Sequence, residues 1–219
     1  MKRTIVILLA LALVVTGLVA CQRQSPGGPV ELLYTAPFET GIESGSNLPG
    51  TGIRYVGLSD KGAEVLINDQ TAFKQKGDSL GWKGSPVENV DLDLSLRVLW
   101  FTATKLYVGG TAEVTVRDPA PVAGSVPSEA PMKYSNAPVT YHVRKGHYIP
   151  GTLVKYVGRT EEGIELEGVE GYPYRKFGDS ILWEGKLRER VFLKLNVRVL
   201  LITEDSITVA GTATLLLTP

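Results

Sequence analysis

One cysteine, Cys21, and two histidines, His142 and His147, are all this 219-residue chain offers of the residue types that most often make covalent cross-links, metal sites or proton relays. A single cysteine rules out an intramolecular disulfide, so stability has to come from packing and strand pairing. Acidic and basic residues balance, and no basic block stands out. That excludes the electrostatic footprint of a nucleic-acid binder. After the first twenty residues no window carries a helical apolar stripe, which argues against an α-rich domain.

What the chain has in quantity is alternation. Val90–Leu99 reads V-D-L-D-L-S-L-R-V-L and Val191–Leu200 reads V-F-L-K-L-N-V-R-V-L. Every second residue is Val or Leu, the period of a strand with one face in a core. The two runs lie 101 residues apart, and so do their surroundings. Pro49-Gly50-Thr51 returns as Pro150-Gly151-Thr152, Tyr55-Val56-Gly57 as Tyr156-Val157-Gly158, Gly77-Asp78-Ser79 as Gly178-Asp179-Ser180, and Trp82 as Trp183. Roughly a third of the positions match without a gap, so the chain holds two copies of one unit of about 85 residues.

The expected fold class is all-β, with two tandem homologous small β-barrel or β-sandwich domains of five to six mainly antiparallel strands each. Strands are expected at 51–57, 63–67, 79–83, 90–99 and 106–116, and at the matching positions of the second copy. The copies occupy 31–116 and 132–219. Between them, 117–131 carries prolines at 119, 121, 127 and 131 and reads as a semi-rigid spacer. Such a spacer permits docked domains or separate beads.

At the amino terminus, Met1-Lys2-Arg3 gives a short positive start and Thr4–Ala20 an apolar run. The run is short of the roughly 20 residues that a membrane helix needs. It ends in Leu18-Val19-Ala20-Cys21, which resembles the lipobox of bacterial lipoproteins. The resemblance implies that residues 1–20 are a signal peptide cut between Ala20 and Cys21, and that the Cys21 thiol carries a diacylglyceryl group. One acyl chain gives only reversible attachment, whereas two or three hold a protein on a membrane. Residues 21–30 would then be the lipidated cysteine and a flexible tether. Gln22 follows the cysteine where the family's sorting rules would read Asp as a retention signal. The expected location is therefore extracytoplasmic: the outer membrane in a cell that has two, otherwise the outer face of the cytoplasmic membrane.

Candidate chemistry is sparse. Gly77-Asp78-Ser79-Leu80 spells the signature of the GDSL esterases, and Gly178-Asp179-Ser180-Ile181 nearly repeats it. Esterases of that family place a catalytic Asp and His together near the C-terminus. Here His142 and His147 align with Gly41 and Ser46, so one copy lacks a base, and a serine without a base is a poor nucleophile. The simpler reading is a glycine turn in which Asp78 and Asp179 bond the local backbone. No catalytic residue, cofactor or metal site is expected. Asp91 and Asp93, and the acidic stretch Glu161, Glu162, Glu165, Glu167 and Glu170, read as solvated surface. Arg97 is expected to pair with Asp78 or Glu64, and Arg198 with the equivalents Asp179 or Glu165.

Among the aromatics, Trp82 and Trp183 alternate with Leu80 and Ile181 and so belong to the core face. Tyr172, Tyr174 and Phe177 sit in the loop before the second Gly-Asp-Ser and are the candidate ligand-binding residues. Their counterparts Thr71, Phe73 and Lys76 keep one aromatic. The functional expectation is an exported, lipid-anchored, non-enzymatic binding or scaffolding module that meets a membrane through Cys21 and partners with an envelope protein or a glycan. The alternative is a glycan-binding or glycan-processing surface protein built on Tyr172, Tyr174 and Trp183.

Overall fold

The computed structural model describes residues 30–219. The expected signal peptide, Cys21 and the tether as far as Pro29 lie outside the described residues. The described chain is all-β. In order its strands are β1 (Glu31–Glu43), β2 (Ile53–Ser59), β3 (Gly62–Ile67), β4 (Gln70–Lys74), β5 (Ser79–Val87), β6 (Val90–Phe101), β7 (Lys105–Arg117) and β8 (Val122–Ala123). Then come β9 (Met132–Arg144), β10 (Lys155–Arg159), β11 (Ile164–Glu167), β12 (Tyr174–Arg175), β13 (Ser180–Arg188), β14 (Val191–Ile202) and β15 (Ser206–Leu217). Every pairing is antiparallel.

Each repeat has a long open sheet, β1-β7-β6-β5 in the first and β9-β15-β14-β13 in the second, with β8 added outside β13. A short three-stranded sheet accompanies each, β2-β3-β4 and β10-β11-β12. The alternating runs do what their period requires. Val90, Leu92, Leu94, Leu96 and Val98 of β6 are buried, as are Val191, Leu193, Leu195, Val197 and Val199 of β14. Each such side chain contributes about 1.5–3 kcal/mol by leaving water.

Seven strands per repeat exceed the five to six read from the sequence, and the longest addition is instructive. β1 and β9 each run 13 residues but carry Pro37 and Pro138 in mid-strand. Proline removes a ladder donor, so it argues against a central strand and is tolerated on an edge. Among the described residues both strands are edges of their own sheet, paired only with β7 or β15.

Those two edge strands meet. β1 and β9 pack against each other without pairing, and the buried residues of both repeats form one contiguous core. Across the seam the rings of Phe38 and Tyr134 lie tilted with centroids 5.4 Å apart. Tyr34 is buried beside Tyr141, its hydroxyl without a well-formed hydrogen bond. The loops that open with Pro49 and Pro150 reach over the seam. A Cβ on Gly151 would stand 3.0 Å from both Leu32 Cδ1 and the Tyr34 hydroxyl, and one on Gly50 would collide with Met132. Of the two arrangements the spacer left open, the protein adopts the docked one.

Two details differ from the gapless repeat and the plain spacer. Ala36 and Ala137 pair with Ala112 and Ala213, but upstream Tyr134 pairs with Leu215, the position that Tyr34 takes opposite Val114. Asn136, at φ 58°, is the extra residue of a bulge in β9, so the repeat slips by one before Ala137. The Pro-rich segment is also partly structured. Val122 and Ala123 pair with Lys186 and Gly185, and Arg188 donates 2.9 Å to the Arg117 carbonyl.

Candidate functional site

The first repeat closes its β3–β4 hairpin on Asn68 and Asp69, both at positive φ (48° and 63°), the geometry of a two-residue turn matched to strand twist. The second repeat replaces this turn with a wider loop. Gly168 and Gly171 both take φ +74°, and a Cβ on Gly168 would strike the Leu153 carbonyl at 2.1 Å. Pro173 has no N–H to give the ladder but its carbonyl accepts the Leu166 N–H at 3.0 Å, and Tyr174 and Arg175 pair with Glu165 and Ile164. The wider loop is what brings the aromatics out.

Tyr172 and Tyr174 meet edge to face, centroids 5.3 Å apart. They line an open cavity of about 490 Å³ together with Glu162, Arg175, Lys176, Asp179 and Ser180. Arg175 is the strut beneath them. Its Nε donates 3.1 Å to the Ser180 carbonyl and its guanidinium donates 2.9 Å to the Tyr174 carbonyl and also to that of Tyr172. The Tyr172 hydroxyl donates to Glu162 Oε2 at 3.2 Å. Local desolvation, then the bond to this carboxylate, raises the Tyr172 phenol above its ordinary pKa. Tyr172 remains 64% exposed. An aromatic pair with a fixed tilt, a carboxylate and a cation on one shelf can stack on an apolar ring face and hydrogen-bond its polar edge. Phe177 is exposed on the turn beyond and does not line this cavity, so the structure joins two of the three candidate residues and leaves the third apart.

Trp183 does not belong to any ligand face. It is 5% exposed and buried beside Ile181. Trp82 packs partly against the core and donates its indole N–H 3.1 Å to Asn68 Oδ1.

The Gly-Asp-Ser turns are structural in their contacts. Asp78 Oδ2 accepts the Gln75 N–H and Asp179 Oδ2 the Lys176 N–H, each at 2.7 Å. The expected ion pairs of Arg97 and Arg198 do not form. Each guanidinium instead donates 2.9 Å to a turn carbonyl, that of Gly77 or Gly178. The arginines sit opposite Ser79 and Ser180 in the ladder, beside the glycines that open the turns, so the nearest acceptor is the carbonyl. Ser180 and His142 lie on strands three places apart in the order β13-β14-β15-β9, about 14 Å at the usual strand spacing. That distance leaves Ser180 without this histidine as a base. His142 neighbours Thr208 at 3.4 Å, and His147 the Lys145 carbonyl at 3.2 Å. Asp93 is paired with Lys83 at 2.5 Å and Asp91 with Arg117.

One surface escaped the sequence reading. Trp100 is 57% exposed, with Leu99 and Tyr107 beside it. Lys76 and Lys105 place their ammonium groups 5.5 and 5.7 Å from the Trp100 and Tyr107 ring centres. A bulge between Val98 and Trp100 turns two successive apolar residues outward, and the same irregularity between Val199 and Leu201 exposes Leu200 and Leu201. The signal was available: V-L-W-F and V-L-L-I break the alternation at the end of each run. Comparison with protein-family models, with curated proteins and with solved structures returns no match.

Proposed function

We propose that this protein is an exported envelope lipoprotein, held to a membrane through lipid on Cys21, whose paired β-repeats work as a non-enzymatic binding or scaffolding module. The observation that supports it best is the division of labour among the aromatics. Tyr34, Tyr134 and Tyr141 bind the repeats into one body, while Trp100, Tyr172 and Phe177 are held out on its surface. A stiff body that presents separated aromatic patches is suited to holding partners in fixed relation, since exposed aromatics are frequent anchors of interfaces. The experiment has two arms. Mass spectrometry of the amino-terminal peptide from membranes should find a diacylated Cys21, and Cys21→Ser should release the protein to the soluble fraction. Photo-cross-linking residues placed at Trp100 and at Phe177 should trap envelope proteins in intact cells. Unmodified Cys21 refutes the anchor, and an absence of adducts at both positions refutes the module.

A second reading, glycan binding, is favoured by the Tyr172–Tyr174 shelf and its Arg175 strut. Its site is Tyr172, Tyr174, Glu162 and Lys176, without Trp183. Calorimetric titration with cell-wall fragments tests it: Tyr172→Ala should abolish the heat of binding while the melting temperature stays unchanged. A flat titration of the unaltered protein ends this reading.

A further inference from the structure

The two repeats differ at the outer edge of two equivalent strands, β5 and β13, whose ladders on β6 and β14 match from Ser79 to Gly84 and from Ser180 to Gly185. In the second, the outer edge of β13 is covered by the segment Pro-Ala-Pro-Val-Ala-Gly, residues 119–124. The Ala120 N–H donates 2.7 Å to the Leu187 carbonyl and the Gly124 N–H 3.2 Å to that of Glu184, with Val122 and Ala123 paired to Lys186 and Gly185 between them. The added strand comes so close that a Cβ on Gly185 would lie 2.3 Å from the Val122 carbonyl.

In the first repeat the same strand is β5 and the same glycine is Gly84. Both glycines lie under the ring of the preceding tryptophan, Trp82 or Trp183. Yet β5 ends its sheet, and among the described residues nothing pairs with its outer side. Residues of a strand alternate in which neighbour their backbone groups face. Glu184 and Lys186 face β8, so Lys83, the equivalent of Glu184 in the regular ladder, presents its N–H and C=O outward. Ser85, the equivalent of Lys186, continues that edge where the register on β6 begins to break. An open edge of this kind is a template for another strand.

We propose that the β5 edge is a peptide-binding site that works by strand addition, and that its ligand is an extended, proline-flanked segment of small apolar residues supplied by a partner protein. The site deepens the binding-module reading and rests on it. The chemistry of the ligand is argued from β8, which shows what this edge accepts. The segment is short, because the register of β5 on β6 breaks between Gly84 and Val87. Small side chains suit an edge already overlaid by Trp82 at Gly84. Flanking prolines pre-form the extended conformation and, lacking N–H groups, keep the added strand from recruiting a further one. A second copy of β5 is the poorer occupant. Lys83 and Pro86 are residue types that keep edges from pairing with their own kind.

The test titrates the full-length chain in detergent with a fluorescein-labelled peptide of residues 119–126, read by anisotropy and by amide hydrogen exchange. The expected result is saturable binding, with exchange at Lys83 and Ser85 slowed at least about tenfold and exchange at Glu184 and Lys186 unaltered. A peptide methylated on the valine nitrogen should bind about tenfold more weakly, because it loses one donor to the edge. Ser85→Pro should do the same from the protein's side, and the methylated peptide keeps the test intact if that variant does not fold. Binding indifferent to methylation overturns the proposal, as does unslowed exchange at Lys83 and Ser85 under saturation. So does finding those two amides protected in the free chain, since the edge would then be covered by this chain itself or by a second copy. A failure here leaves the Cys21 and cross-linking results standing. Failure of those, with the edge protected by peptide, removes the envelope reading and spares the site.

Discussion

Replacing Tyr34 with alanine should lower the stability of both repeats at once. Tyr34 is fully buried on β1, yet its neighbours Tyr141 and Gly151 belong to the other repeat. Truncating a buried aromatic to alanine costs about 3–5 kcal/mol, from lost transfer energy and the cavity left behind. A body of this size loses about 2–4 °C per kcal/mol, so the melting temperature should fall by about 6–20 °C. The assay is scanning calorimetry of the parent and the variant, with the calorimetric and van't Hoff enthalpies compared. One transition is expected in each, because a shared core leaves neither repeat an independent unit to melt. Trp183 reports the second repeat: in a chain with Trp82 and Trp100 changed to Phe, its fluorescence should follow the calorimetric curve. Tyr34→Phe is the control. Since the hydroxyl makes no well-formed hydrogen bond, its removal should change stability by no more than about 1 kcal/mol in either direction. Two transitions in the parent would refute the shared core. So would a Tyr34→Ala shift that Trp183 does not feel.

Alkaline pH should open the same seam. Burial pushes the Tyr141 phenol up to about 12 and raises those of Tyr34 and Tyr134 as well. A raised folded pKa means that the contribution is intact below about pH 10, the unfolded value, and drains away as pH climbs through the folded one. Tyr141 alone stands to lose about 3 kcal/mol across that window, and denaturant midpoints measured from pH 8 to 12 should be flat and then fall. Gly211→Ala should destabilise by about 1–3 kcal/mol, because its Cβ would meet the Asn196 carbonyl at 2.1 Å, whereas Gly81→Ala, with 3.5 Å to the nearest backbone atom, should be near neutral; chemical denaturation of the pair distinguishes them. Asp179→Ala removes the acceptor of the Lys176 N–H and should cost about 1 kcal/mol without touching the core, visible as a small melting shift and faster exchange at that amide.

The strongest parts of the fold were legible because each follows from local period. β6, β7, β14 and β15 alternate, short and mostly polar turns such as Glu88-Asn89 and Glu189-Arg190 precede them, and the pairing is between chain neighbours. β1 and β9 were hidden by Pro37 and Pro138, which speak against strands unless one knows that no partner needs the missing donor. The candidate site was half legible. Aromatics in a loop marked Tyr172 and Tyr174, but Phe177 stands apart and Trp183 is core. The reach of Arg97 and Arg198 to glycine carbonyls was out of view, because charge favours a carboxylate while ladder register sets the nearest acceptor.

Sequence alone thus determined the repeat, the strand class and the inward face of each long strand, since two-residue periodicity needs no knowledge of distant partners. Only the tertiary structure decided that the repeats share one core, that Asn136 shifts the register, and that among the described residues one sheet edge is covered while its twin has no strand beside it. Those facts depend on residues far apart in the chain meeting in space, Val122 with Lys186 at one edge and Tyr34 with Tyr141 at the seam, and shape complementarity between surfaces leaves no period in a chain.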